Sequence, residues 1–173
     1  GISAVNLEPP SPNSLNMHQS KVFDGWMSHA PNWDDLAWLR DQTSLPLTIK
    51  GVMHIADAEK IIQLGCDGLV VSNHGGRVLD GVPSSLEVLP SFVERFSSQT
   101  KIIFDSGIQS GQDAYKTLAL GADAVMIGRP YVWGLASAGA LGVAHVIRLM
   151  RDELEMTMAL TGTKVLSKIR LSQ

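Results

Sequence analysis

Six consecutive residues, SNHGGR at positions 72–77, place His74 and Arg77 three residues apart with two glycines between them. An imidazole exchanges protons near neutral pH, and a guanidinium clamps a planar anion such as a carboxylate through a pair of hydrogen bonds. Gly75 and Gly76 take positive φ without steric cost, so the backbone can turn sharply and approach a ligand closely. The combination describes acid–base chemistry on a small carboxylate. Taken alone, His74 also fits a loop histidine satisfied by backbone groups; Arg77 and the paired glycines favour the catalytic reading.

Three other stretches offer charge in comparable settings. Lys50 stands inside the otherwise apolar run LPLTIKGV at 45–52, where its ammonium needs either an anionic partner or a route to solvent along the side chain. DSGIQSG at 105–111 combines glycines with the start of a helix, and IGRP at 127–130 offers backbone N–H groups beside the Arg129 guanidinium. Such places attract phosphate, because unpaired N–H groups and the helix dipole favour an anion. The alternative is that these glycines only end strands and that Arg129 makes a surface ion pair. His18, His29, His54 and His145 have no comparable setting and read as exposed or structural. Trp38 and Trp133 read as packing residues, and Cys66 as a small buried filler.

These groups need elements to position them, and the apolar pattern supplies four. Strands are expected at 45–52, 68–72, 101–105 and 124–128, separated by helices at 55–64, 83–96 and 112–120, with Pro90 as a break point in the second. Two further helices, around 139–160 and 164–169, follow, with Gly142 and Gly162 as break points. Asn32 caps a helix that starts at Trp33. Residues 1–31, rich in Pro, Ser and Asn, read as an irregular lid or tail. Short apolar strands alternating with amphipathic helices indicate a parallel sheet covered by helices. LGCDGLVVS at 64–72 and LGADAVMIG at 120–128 echo each other, so the second and fourth βα units look like copies. The fold class is therefore α/β, and four βα units make half of a TIM (β/α)8 barrel, whose functional groups gather at the C-terminal strand ends. If these are strands 5–8, the loops at 105–109 and 128–129 follow strands 7 and 8, where barrels frequently bind phosphate.

Composition narrows the partners. The chain has 173 residues, 45% of them hydrophobic and 18% charged, which suits one sizeable core. A formal net charge of −3 and a pI near 5.9 give no electrostatic reason to expect nucleic acid. Cys66 is the only cysteine, so no internal disulfide can form, and no Cys/His spacing resembles a zinc site. The apolar stretches are interrupted before the roughly 20 residues a membrane span needs, and the first residues lack signal-peptide features. A cytoplasmic or peroxisomal location without a membrane span is the expectation.

The run SNHGGRVLDGVPSSLEVLP, taken with LPLTIKGV, DSGIQSG, LALGADAVMIGRP and MRDELEMTMALTG, resembles the FMN-dependent α-hydroxy acid oxidases and dehydrogenases, the family of glycolate and lactate oxidases. The likeness covers about residues 33–169, and residues 32–173 would form the C-terminal half of that family's barrel. It implies FMN at the strand ends and oxidation of a small L-2-hydroxy acid to the 2-oxo acid. By this resemblance His74 is the active-site base and Arg77 binds the substrate carboxylate. Lys50 lies beside the N1 and C2 carbonyl side of the flavin, where an ammonium stabilises the negative charge of the reduced ring. Ser72 contacts the ring, and Asp105, Ser106, Gly107, Ile108 and Gln109, with Gly128 and Arg129, hold the ribityl phosphate.

Two departures from the family pattern carry consequences. At Gln109 the family commonly has an arginine on the phosphate, so FMN binding should be weaker here, although an amide still donates a hydrogen bond. The chain is also about half the family's length. The counterpart of strands 1–4 is absent from it, and with that the aspartate that pairs with the base histidine. A half-barrel leaves two raw sheet edges and an uncovered face. The expected partner is the N-terminal half of the barrel or a second copy, with a homo-oligomer when complete. A self-associating or inactive half-barrel, which binds flavin phosphate or a partner chain without turnover, is the alternative.

Overall fold

The computed structural model describes residues 16–169, which fall into two compact units divided between Gln42 and Thr43. In the first, residues 21–26 form one π-helical segment, Lys21–Trp26, capped by the Ser20 hydroxyl, within the stretch expected to be irregular. Helix α1 (Trp33–Gln42) begins where the capping residue predicts: Asn32 Oδ1 accepts from the Asp34 and Asp35 amides, and Asp35 accepts from the Asn32 amide.

The second unit is a four-stranded parallel sheet in the order β1 (Thr48–Val52), β2 (Gly68–Val71), β3 (Lys101–Phe104), β4 (Ala124–Val125). Helices α2 (Ile55–Gln63), α3 (Ser85–Phe96), α4 (Gly111–Ala119) and α5 (Arg129–Leu160) alternate with and follow the strands. Strand β2 is buried at every position, as a central parallel strand should be. Leu69, Val71, Ile102 and Phe104 pack with Leu89, Phe92 and Phe96 of α3 to make the main core. Phe92 and Phe96 meet edge to face, 5.9 Å between centroids.

The sequence echo at 64–72 and 120–128 has a structural counterpart. Asp67 Oδ2 accepts the Leu47 amide at 2.8 Å, and Asp123 Oδ2 accepts the Ile102 amide at 2.9 Å. The amides of the same two aspartates donate back to the Leu47 and Ile102 carbonyls. Each aspartate thus staples the start of its own strand to the strand before it. Gly65 and Gly121, at φ 80° and 108°, end the preceding helices in both copies.

Several boundaries differ from the sequence reading. Strand β4 stops at Val125, short of Gly128, because within the described residues it has only β3 beside it. Helix α3 continues through Pro90 without the expected break, although a proline there removes the amide that would bond the Leu86 carbonyl one turn back. The last helix starts at Arg129, ten residues early, so IGRP is a helix start with Pro130 in its first turn rather than an open loop. Its interruption lies at Ala138 and Gly139, not at Gly142. The expected helix at 164–169 reduces to one 3₁₀ turn, Leu166–Lys168. Helix α5 is also long and apolar enough, by length and composition, to cross a membrane, which the sequence reading missed. Here its two segments pack against each other with Gly134 facing Gly142, and it packs on α4, where a Cβ at Gly111 would lie 2.2 Å from the Leu154 amide nitrogen.

Candidate active site

The C-terminal strand ends converge on a cleft of about 630 Å³, a size ordinary for a small-molecule site. Lys50 from β1, His74 and Arg77 from the turn after β2, Asp105 to Gln109 after β3, and Gly128 with Arg129 at the head of α5 all line it. Three cations face one carboxylate, a local excess of positive charge in a chain whose net charge is −3. Val78, Ile108, Met126 and Trp133 add an apolar wall.

At the floor of the cleft, Lys50 Nζ lies 2.8 Å from Asp105 Oδ2 and 3.1 Å from Ser72 Oγ, and Ser72 Oγ donates to the same carboxylate oxygen at 2.5 Å. Lys50 therefore has the partner its apolar strand demands. The carboxyl of Asp105 is pulled two ways. Burial pushes its pKa up, but hydrogen bonds from Lys50 and Ser72, the Lys50 charge and the Ser106 backbone together hold it below the ordinary carboxylate value. Ser72 is fully buried beneath this pair and does not line the cleft. Just past the end of β2, its hydroxyl joins the Lys50–Asp105 pair to the His74 turn from below.

The turn that carries His74 is strained and tied down. His74 has φ 56° and Ser106 φ 90°, both in the region that side chains avoid, and Gly75, Gly76 and Gly107 share it. Such outliers cluster at sites where the surrounding structure over-determines the backbone. Here the His74 amide donates to Ser72 Oγ at 3.1 Å, and the Gly75 amide donates to Asn73 Oδ1 and Ser106 Oγ, each at 3.0 Å. The Asn73 amide donates in turn to the buried Ser85 hydroxyl, 2.9 Å away. Arg129 Nη2 reaches across to the Gly75 carbonyl at 2.9 Å, so the guanidinium expected on a phosphate also braces the histidine turn. The imidazole of His74 and the guanidinium of Arg77 are exposed and make no hydrogen bond among the described residues.

Sequence reasoning passed over four contributors. Asn73 and Ser85 brace the turn; an Asn followed two residues later by Gly is a legible side-chain turn signal. Gly51 packs beneath the His74 ring in an irregular stretch of β1. Trp133, read as a packing residue, is instead exposed on the cleft wall, and Trp38 is exposed within the first unit. Of the histidines set aside, His54 is structural, its Nδ1 capping α2 through the Ala56 amide. Cys66 is buried as expected.

Parallel βα units with a cationic cleft at their C-terminal strand ends have the arrangement of the ligand-binding face of an α/β protein, barrel or open sheet. Residues 4–173 match the FMN-dependent dehydrogenase family, and the chain belongs to it. It is 50% identical over 160 residues to an L-lactate oxidase of Alicycliphilus denitrificans, covering 92% of this chain and 44% of that protein. It is 46% identical over 140 residues to 2-hydroxyacid oxidase 1 of Mus musculus, covering 79% and 38%. A peroxisomal (S)-2-hydroxyacid oxidase of Arabidopsis thaliana is 40% identical over 169 residues, covering 98% and 46%. A crystal structure of mandelate oxidase with 3,3-difluoro-2-hydroxy-3-phenylpropionic acid superposes with a TM-score of 0.78 at 39% identity, over 81% of this chain and 42% of that one. The chain thus spans less than half the length of these relatives, and its sheet is part of a TIM barrel.

The family's cofactor is FMN. The donor set here fits a phosphate at the end of a flexible chain: Arg129 and the exposed Gln109 side chain stand beside Gly107 and Gly128, where an added Cβ would meet nothing within 4 Å. Lys50, held by Asp105, keeps an ammonium at the floor of the cleft, where positive charge favours an anionic group.

Proposed function

We propose that this chain supplies the C-terminal half of an FMN-dependent oxidase or dehydrogenase that converts a small L-2-hydroxy acid, lactate- or glycolate-like, to the 2-oxo acid. The observation that carries the reading is the convergence of His74, Arg77 and the Lys50–Asp105 pair on one cleft at the strand ends. Arg77, exposed and unpaired among the described residues, binds the substrate carboxylate in a two-pronged grip. His74, held on its strained turn, takes up a proton that the hydroxy acid loses on oxidation. Lys50 keeps its ammonium at the cleft floor through Asp105 and Ser72, while Gln109, Gly128 and Arg129 hold the phosphate end of the cofactor. FMN, when bound, supplies the two-electron acceptor.

The four-stranded sheet ends on β1 and β4, each with one neighbour among the described residues. A partner carrying the N-terminal half of the barrel completes both edges, and with them the site. A second copy of this chain is the other way to close the sheet, with FMN bound but no turnover. A cytoplasmic or peroxisomal location is part of this proposal, the peroxisomal alternative supported by the name of the Arabidopsis thaliana relative.

The test is an FMN titration of the purified chain, followed by flavin absorbance with the mass in solution measured alongside, with and without a co-expressed N-terminal half. Yellow protein in a heteromer that is bleached by lactate or glycolate supports the proposal. Yellow homodimer without turnover supports the second reading, and colourless protein under both conditions refutes both. In the active heteromer, His74→Gln should retain FMN and abolish flavin reduction by substrate; reduction at the normal rate removes His74 from the role of base.

A further inference from the structure

Strand β1 changes register at its end. Lys50 pairs with Val70, yet Val52 pairs with the very next residue, Val71, so Gly51 is an extra residue with no partner across the ladder. Gly51 has φ 96°, a conformation that a bulge assigns to glycine. The bulge sits directly under the catalytic turn. A Cβ built on Gly51 would lie 2.6 Å from His74 Cε1 and 3.5 Å from each ring nitrogen.

The contact matters because of what else holds His74. Its backbone is fixed by Ser72, and the next residue by Asn73, Ser106 and Arg129, but its imidazole makes no hydrogen bond among the described residues. The orientation of the ring is set by what it rests on, and the Gly51 backbone is part of that support. Ordinary carbon contact begins at 3.4 Å, so a methyl group there would force the ring back by 3.4 − 2.6, about 0.8 Å. Catalytic groups tolerate displacements of roughly 0.5 Å. The missing Cβ therefore decides whether the base can occupy this position.

We infer that Gly51 is a positioning residue for the His74 base: the glycine bulge that ends β1 provides a flat seat, free of a side chain, on which the imidazole lies. The inference rests on the role proposed for His74 and adds the element that aims it. It also links the two sides of the cleft, since the residue before Gly51 is Lys50. The strand irregularity that turns the end of β1 thus serves the ammonium and the imidazole together.

The experiment uses the full chain labelled with 13C-histidine, and His74→Ala identifies the His74 Cε1–H cross-peak among the five histidines. Gly51→Ala should move that cross-peak by more than its line width and leave the other four in place. Thermal unfolding of wild type, Gly51→Ala, His74→Ala and the double variant forms a cycle that separates ring contact from backbone strain. Gly51→Ala should lower the midpoint by roughly 2–12 °C beside His74, the range for overpacking a filled site. In the His74→Ala background at least about 2 °C of that loss should return. If Gly51→Ala does not fold, recovery of a folded double variant supports the inference, and an equally unfolded double variant overturns it. An unmoved His74 cross-peak, or an equal loss in both backgrounds, also overturns it. FMN absorbance of the wild-type chain, alone and co-expressed with the N-terminal half, keeps the two readings apart: coupling with colourless protein under both conditions refutes the flavin assignment alone, whereas flavin binding without coupling refutes the role of Gly51 alone.

Discussion

Asp105→Asn is the sharpest perturbation of the cleft floor, because it removes one charge and keeps the shape. The carboxylate receives Lys50 at 2.8 Å and Ser72 at 2.5 Å, with the Asp105 side chain 14% exposed and that of Lys50 38% exposed. A fully exposed pair contributes about 0–1 kcal/mol, and removing one partner of a fully buried pair costs about 3–5 kcal/mol. The open ammonium places this pair nearer the exposed limit, so the expected loss is about 1.5–2 kcal/mol, or roughly 3–8 °C in midpoint for a chain of this size. The pH dependence has a definite sign. A carboxyl whose folded value is depressed contributes stability in full above its unfolded value, about 3.9, and loses it as pH falls through the lower folded value. The gap between wild type and Asp105→Asn should be constant from neutrality down to about pH 5 and should close below about pH 4. Thermal melts followed by circular dichroism across that range measure it, with Lys50→Met and the double variant completing a cycle. A gap that persists in acid, or an Asp105→Asn loss as large in the Lys50→Met background as in wild type, refutes the assignment of this carboxylate as the partner of Lys50.

Two further outcomes follow from other parts of the chain. Gly111→Ala would drive a methyl group to 2.2–2.3 Å from the Leu154 nitrogen and the Met150 oxygen, backbone atoms of α5 that cannot rotate away. It should cost about 3 kcal/mol or more, read as a fall in urea midpoint with unchanged slope. Gln109→Arg adds a guanidinium to the exposed loop proposed to hold the phosphate and should tighten FMN binding about three- to tenfold in fluorescence-quenching titrations at low salt, with the gain shrinking as salt is added.

Much of this site is legible in the sequence because its signals are local. The runs that become β1, β2 and β3 are mostly apolar, and the chemistry lies within each or a few residues after it, so the parallel topology brings Lys50, His74, Arg77 and Asp105 to one face. What escapes is set by contacts between distant segments. Whether Ser72 lines the cleft depends on where β2 stops being enclosed, and whether Arg129 is free depends on the Gly75 carbonyl 54 residues earlier. The helical start at Arg129 is obscured because AVMIG reads as one strand, while the ladder ends after Val125 with the Met126 amide on the Phe104 carbonyl. Gly51 left a trace, a lone glycine inside a strand pattern, which is the usual mark of a bulge or a close approach.

The aspartate staples give the sheet a grain. Asp67 fastens β2 to the end of the Leu47 approach to β1, and Asp123 fastens β4 to β3. Between β2 and β3 no aspartate side chain does this among the described residues, and the join is the ladder itself, in register over all four positions from Gly68 opposite Lys101 to Val71 opposite Phe104. One clasp thus lies on either side of the continuous β2–β3 ladder. Because each clasp ties both the amide and the carboxylate of one aspartate to a single residue of the preceding segment, a slip of register by one residue would break two bonds at once.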